Sequence, residues 1–111
     1  MVDLSFLETF TKGNKDKMKR YINIYLKIAP ETFQNMEQHV IDKDWEQLRI
    51  KAHSLKPQAD YMGIASLKAV LVEMEQSVHE EKFERLRELY EKAAKIHAES
   101  IPHLKNIIAS S

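Results

Sequence analysis

Trp45, Leu48, Ala52, Leu55, Ala59 and Met62 recur at alternating intervals of three and four, and no other feature constrains the fold as tightly. On a helix that spacing gathers the apolar side chains onto one face, the seam by which a helix packs in a bundle. Asp44 stands before the run as an N-cap, and Gly63 stands after it as a stop.

The rest of the chain repeats the pattern. Asp3 is placed to cap a short first helix carrying Leu4, Leu7 and Phe10, which Lys12-Gly13-Asn14 ends. Asn14 then caps a second helix with Met18, Tyr21, Ile22, Tyr25 and Leu26 on its apolar side. Proline favours the first turn of a helix, so Pro30 predicts a third helix, carrying Phe33, Met36 and Val40 up to the break at Asp42-Lys43-Asp44. Beyond Gly63, Leu67, Val70, Leu71, Met74 and Val78 mark one helix, and Leu86, Leu89, Tyr90, Ala93 and Ile96 mark a long last one that Pro102 should bend or restart.

Only 2 glycines and 3 prolines punctuate 111 residues, and turn-rich strand patterns are missing. The expected fold is therefore all-α: an antiparallel four-helix bundle with a short additional N-terminal helix, one domain over residues 1–111. There is no cysteine, which removes disulfides and thiolate metal sites and suits a reducing compartment. Lys plus Arg equals Asp plus Glu at 17 each, so no global field draws the chain to nucleic acid or anionic lipid. The opening Met1-Val2-Asp3-Leu4-Ser5 has no basic region followed by an apolar run, and nowhere do about 20 apolar residues follow one another. A cytoplasmic location without membrane insertion is expected.

Each helical residue turns the chain by about 100°, which puts His53 about 140° from the seam of its own helix. It should face solvent from the middle of a rigid element. Ile50 and Pro57 fall within about 60° of it and one turn to either side, an apolar pair where polar residues would be ordinary. Lys56 lies beside it. A neutral imidazole is nucleophilic near physiological pH and can accept a phosphoryl group, and a nearby ammonium stabilises the charge that gathers there.

Ala52-His53-Ser54-Leu55-Lys56, followed by Ala59 and Gly63, closely resembles the signature of histidine phosphotransfer domains. The opening Asp3-Leu4-Ser5-Phe6-Leu7, the Gly13-Asn14 break and the Asp44-Trp45-Leu48 lead resemble the family pattern as well. The resemblance implies that His53 is the phospho-acceptor, that Lys56 steadies the phosphoryl group, and that a residue of the next helix bonds the other ring nitrogen. Counting along the matched segment gives that last role to Glu75, about 80° off the core stripe of its helix; a carboxylate there would set the tautomer. Val72, nearly opposite that stripe, would extend a docking face made by Ile50, Pro57 and Gln58, with Gln58 facing solvent. The chain departs from the family at Pro57, where glycine is usual. Having no amide hydrogen and crowding the carbonyl of His53, Pro57 should kink the helix locally.

The same resemblance implies a phosphoryl carrier of a two-component phosphorelay, passing the group between aspartates of response-regulator receiver domains fed by a sensor histidine kinase or hybrid kinase. Mg²⁺ would belong to the receiver, and this chain would need no cofactor and act as a monomer. Independent kinase activity is not expected, since a chain with two glycines has no glycine-rich nucleotide loop. A helical adaptor in which His53 is incidental is the alternative from another functional class. His39, His79, His97 and His103 accompany His53, yet no His-x3-His pair or Glu-x-x-His set with bundle-site spacing emerges for a metal.

Overall fold

Asn14, Asp44 and Gly63 mark helix ends chemically, and the computed structural model, which describes residues 2–110, breaks at all three. The described residues form α1 (Ser5–Phe10), α2 (Lys15–Ile41), α3 (Trp45–Met62), α4 (Ala65–His79) and α5 (Leu86–Ala109), with a 3-10 turn at Phe83–Arg85 and no strand. Asn14 caps α2 by accepting from the Lys17 amide at 3.0 Å, and Asp44 caps α3 by accepting from the Gln47 amide at 3.3 Å. Gly63, at φ +63°, ends α3 in the left-handed conformation. The Gly63 and Ile64 amides there donate back to Asp60 and Ala59 at 3.1 and 3.0 Å.

The long helices pack each against two neighbours in the cyclic order α2, α3, α4, α5. Short connections make consecutive helices antiparallel. At 27 residues α2 spans about 40 Å, close to the 43 Å length of the molecule. One core runs down the bundle through Tyr25, Met36, Leu48, Leu55, Leu71, Met74 and Leu86, all almost wholly buried. No helix is long and apolar enough to cross a membrane, among the residues described.

Pro30 corrects one expectation. It lies inside α2 and does not begin a third helix. The buried series Ile22, Tyr25, Ala29, Phe33, Met36 and Val40 keeps the three-and-four spacing straight through it, while Pro30 itself faces solvent. A proline in a helix interior costs about 3 kcal/mol, and burying even two of those large side chains stabilises by more than that. Pro57 and Pro102 are likewise exposed and inside helices that run on unbroken, so Pro102 does not restart α5.

Two smaller corrections concern the ends of the chain. Leu4, not Asp3, holds the N-cap position of α1. The Asp3 carboxylate instead accepts from the Ser5 amide at 2.9 Å and the Ser5 hydroxyl at 2.6 Å, and its own amide donates to Gly63 at 3.1 Å, tying the chain start to the end of α3. On α5 the position facing the core is His97, whereas Ile96 is half-buried.

His97 is buried by Tyr25 and Phe33 of α2. The Tyr25 hydroxyl lies 2.8 Å from Nδ1, and the Phe33 ring stacks at 4.5 Å. Burial pushes the His97 imidazole below its ordinary value of 6.5 and pushes the Tyr25 hydroxyl up. The unfolded chain then binds a proton more readily than the folded one. Stability contributed by a neutral His97 is complete above pH 6.5 and falls as the pH drops from there toward the folded value. Denaturant melts at pH 7 and pH 5 should show the midpoint falling with pH, and a His97→Phe variant should lose much of that slope.

Candidate functional site

The seam of α3 fixes where its other face points. With Leu48, Ala52, Leu55, Ala59 and Met62 buried, His53 projects outward with its side chain 67% exposed. Its partner comes from α4. Met74 and Leu71 lock that helix into the core, and Glu75, one residue on from Met74, lies along the groove between α3 and α4 with its side chain only 17% exposed.

The two oxygens of Glu75 are divided between two residues of α3. Oε1 is 2.5 Å from His53 Nδ1, and Oε2 is 2.6 Å from Lys56 Nζ. Burial acts to raise the carboxyl pKa, but the hydrogen bonds and charges of Lys56 and His53 together outweigh it and hold Glu75 below the usual carboxylate range. Glu75 is therefore ionised near neutral pH and can only accept. His53 must carry its hydrogen on Nδ1, which in the neutral ring leaves the lone pair on Nε2, at the solvent end of the side chain. Such an imidazole is an oriented nucleophile whose far side faces a carboxylate.

The structure thus brings His53, Lys56 and Glu75 together. Lys56 is tied down, its Nζ engaged with Glu75 and its side chain only 22% exposed. Ile50 and Val72 are exposed hydrophobics, 41% and 40% accessible, and Pro57 is exposed one turn after His53. Gln58 departs from expectation: it is half-buried, with its side-chain oxygen enclosed and unbonded. It follows Pro57 by 100° of turn, toward the buried side of α3 that begins at Ala59. Pro57 also deprives the His53 carbonyl of its usual intrahelical donor, since proline has no amide hydrogen.

Arg49, one turn before His53, is a residue that no motif marked. Its guanidinium donates to Glu46 through Nε and Nη2. Only the four-residue spacing to His53 signals that the two share a face. No group of three or more His, Asp or Glu side chains is arranged to hold a metal ion among the described residues.

A four-helix bundle presenting one oriented histidine on a rigid outer face defines a class of helical histidine-bearing module. The family model described as Hpt domain matches residues 20–96, and the chain belongs to that family. The match spans α2 from its second turn, all of α3 and α4, and α5 as far as Ile96. No curated protein and no solved structure matches the chain. Hpt domains act in histidine phosphotransfer within phosphorelays and are helical bundles.

Proposed function

We propose that this chain carries a phosphoryl group on His53, taking it from the aspartyl phosphate of one response-regulator receiver domain and passing it to another. The observation that supports this most strongly is the Glu75 contact, which leaves Nε2 as the bare, outward nitrogen. In the transfer the Nε2 lone pair forms the N–P bond as the P–O bond to the receiver aspartate breaks, and the carboxylate leaves with that electron pair. The Nδ1 hydrogen stays on the ring, and the positive charge the ring gains faces Glu75 across 2.5 Å.

Lys56 contributes a cation near the incoming group, while Ile50, Pro57 and Val72 form the apolar surround on which a receiver docks, with Gln58 at its edge. The receiver supplies Mg²⁺ and the acyl phosphate; the carrier supplies position. No kinase activity of its own is part of this reading, the carrier acts as a monomer in the cytoplasm, and a sensor or hybrid kinase feeds the relay. The test is incubation with a panel of phosphorylated receiver domains, followed by detection of acid-labile, base-stable phosphate and its localisation by mass spectrometry. Label on His53 is expected. A folded chain that binds receivers and takes no label would be an adaptor.

Glu75→Ala should release the tautomer, visible as mixed imidazole ¹⁵N shifts for His53, and slow transfer by about 10- to 100-fold, the usual cost of losing an orienting partner. Glu75→Gln keeps an acceptor oxygen and should keep most of the rate. Unchanged ¹⁵N shifts and rate in Glu75→Ala would leave Glu75 a surface acid.

A further inference from the structure

We infer that Arg49 is the clamp for the phosphoryl group once His53 carries it, exchanging its hold on Glu46 for the phosphoryl oxygens. The inference rests on His53 being the acceptor and goes on to assign a residue to the product state.

A phosphoryl group on Nε2 brings between one and two negative charges to the outer end of the imidazole near neutral pH. The nearest ammonium, Lys56, is already neutralised by Glu75 at 2.6 Å. Were Lys56 to leave, a carboxylate only 17% exposed would lose one of its two partners, and stripping a partner from a partly buried charge is costly. Lys56 is therefore held back by the contact that orients His53.

Arg49 is not held in that way. It stands four residues before His53 on the same face, with about 6 Å between their Cβ atoms, and its side chain is long enough to bring the guanidinium to the Nε2 side of the ring. Its present partner is a surface acid three residues away whose side chain is 62% exposed, and ion pairs of that kind contribute little and exchange readily. A phosphoryl group offers the planar guanidinium two parallel charge-assisted hydrogen bonds, its preferred geometry. The negative charge of Glu75, the carboxylate behind His53, reaches Arg49 and, after the larger influence of Glu46, helps hold the guanidinium in its charged form. Movement of this one partly exposed side chain, with no change in the bundle, would bring to the phosphoryl group a cation that no buried carboxylate holds back.

Phosphoramidate phosphorylates histidine without a protein partner, so the experiment is independent of any receiver. The full chain is labelled with it, the His53 resonance is assigned by its loss in His53→Gln, and the phosphoryl titration is followed by ³¹P NMR. Arg49→Ala is expected to raise the midpoint by about half a unit, because a nearby cation favours the more highly charged phosphoryl form. Arg49→Lys should recover part of that shift. Lys51→Ala, which removes the same charge from about 200° around α3, should leave the midpoint in place. Equal midpoints for Arg49→Ala and the parent, or equal shifts for Arg49→Ala and Lys51→Ala, would overturn the clamp and leave the acceptor assignment standing. Failure of phosphoramidate to label His53 at all would overturn both.

Discussion

Replacing His53 by Gln should abolish receiver-dependent labelling while leaving the bundle intact. The side chain is 67% exposed and contributes nothing to the core; surface changes of this kind move stability by about 0.5 kcal/mol or less. A glutamine amide can still donate to Glu75, so the groove between α3 and α4 keeps its polar contact. What disappears is the imidazole Nε2, the atom proposed to form the N–P bond. Thermal melts of variant and parent should coincide, and acid-labile phosphate should fall to background. His79 and His103 are also exposed, so they are internal controls. Label that persists in His53→Gln and maps to either of them would move the acceptor elsewhere on the bundle.

Gly63→Ala should produce the largest loss of stability, with the chemistry of His53 retained in whatever remains folded. A Cβ at position 63 would fall 1.6 Å from the Asp3 carbonyl oxygen and 2.9 Å from its Cα, and the residue sits at φ +63°. The positive φ alone costs an alanine about 1 kcal/mol. The collision adds to this by pushing away the segment whose Asp3 amide bonds to the end of α3, which loosens the seat of the fully buried Leu7. A total of about 3 kcal/mol is expected, equivalent to a fall in Tm of roughly 10 to 15 °C for a domain of this size. Gly13→Ala isolates the two causes: Gly13 has φ +73° but nothing within 4 Å of the added Cβ, so it should cost only about 1 kcal/mol. Equal losses at the two positions would show that backbone strain, not the approach of Asp3, accounts for the whole effect.

Several features of the site are legible in the sequence because they depend on helical periodicity. His53 lies one residue from Ala52 and two from Leu55, both buried, and 100° per residue is enough to turn it outward. The same arithmetic brings Ile50 and Pro57 to its face and leaves Glu75 off the core stripe of α4. Periodicity fails where burial competes with a local rule. Pro30 reads as a helix start by local chemistry, yet the apolar stripe of α2 continues through it and the packing outweighs the lost hydrogen bond. Gln58 reads as a surface amide from its polarity, yet it follows Pro57 onto the flank that turns inward. His97 reads as one histidine among several, because its partners Tyr25 and Phe33 lie more than sixty residues away along the chain.

By itself the sequence determined the all-α class, the helix starts at Asn14 and Asp44 and the stop at Gly63, the outward direction of His53 and the chain's kinship to the Hpt family. Each of these follows from contacts within one helix turn or from a motif inside a single segment, where spacing and side-chain chemistry leave few alternatives. The tertiary structure alone decided that Glu75 divides its oxygens between His53 and Lys56, that Lys56 is thereby tied down while Arg49 rests on a surface acid, and that Gly63 must be bare to admit Asp3. Those arrangements join segments distant in the chain, and only the packing of α4 on α3 and of the chain start on the end of α3 brings the atoms within reach.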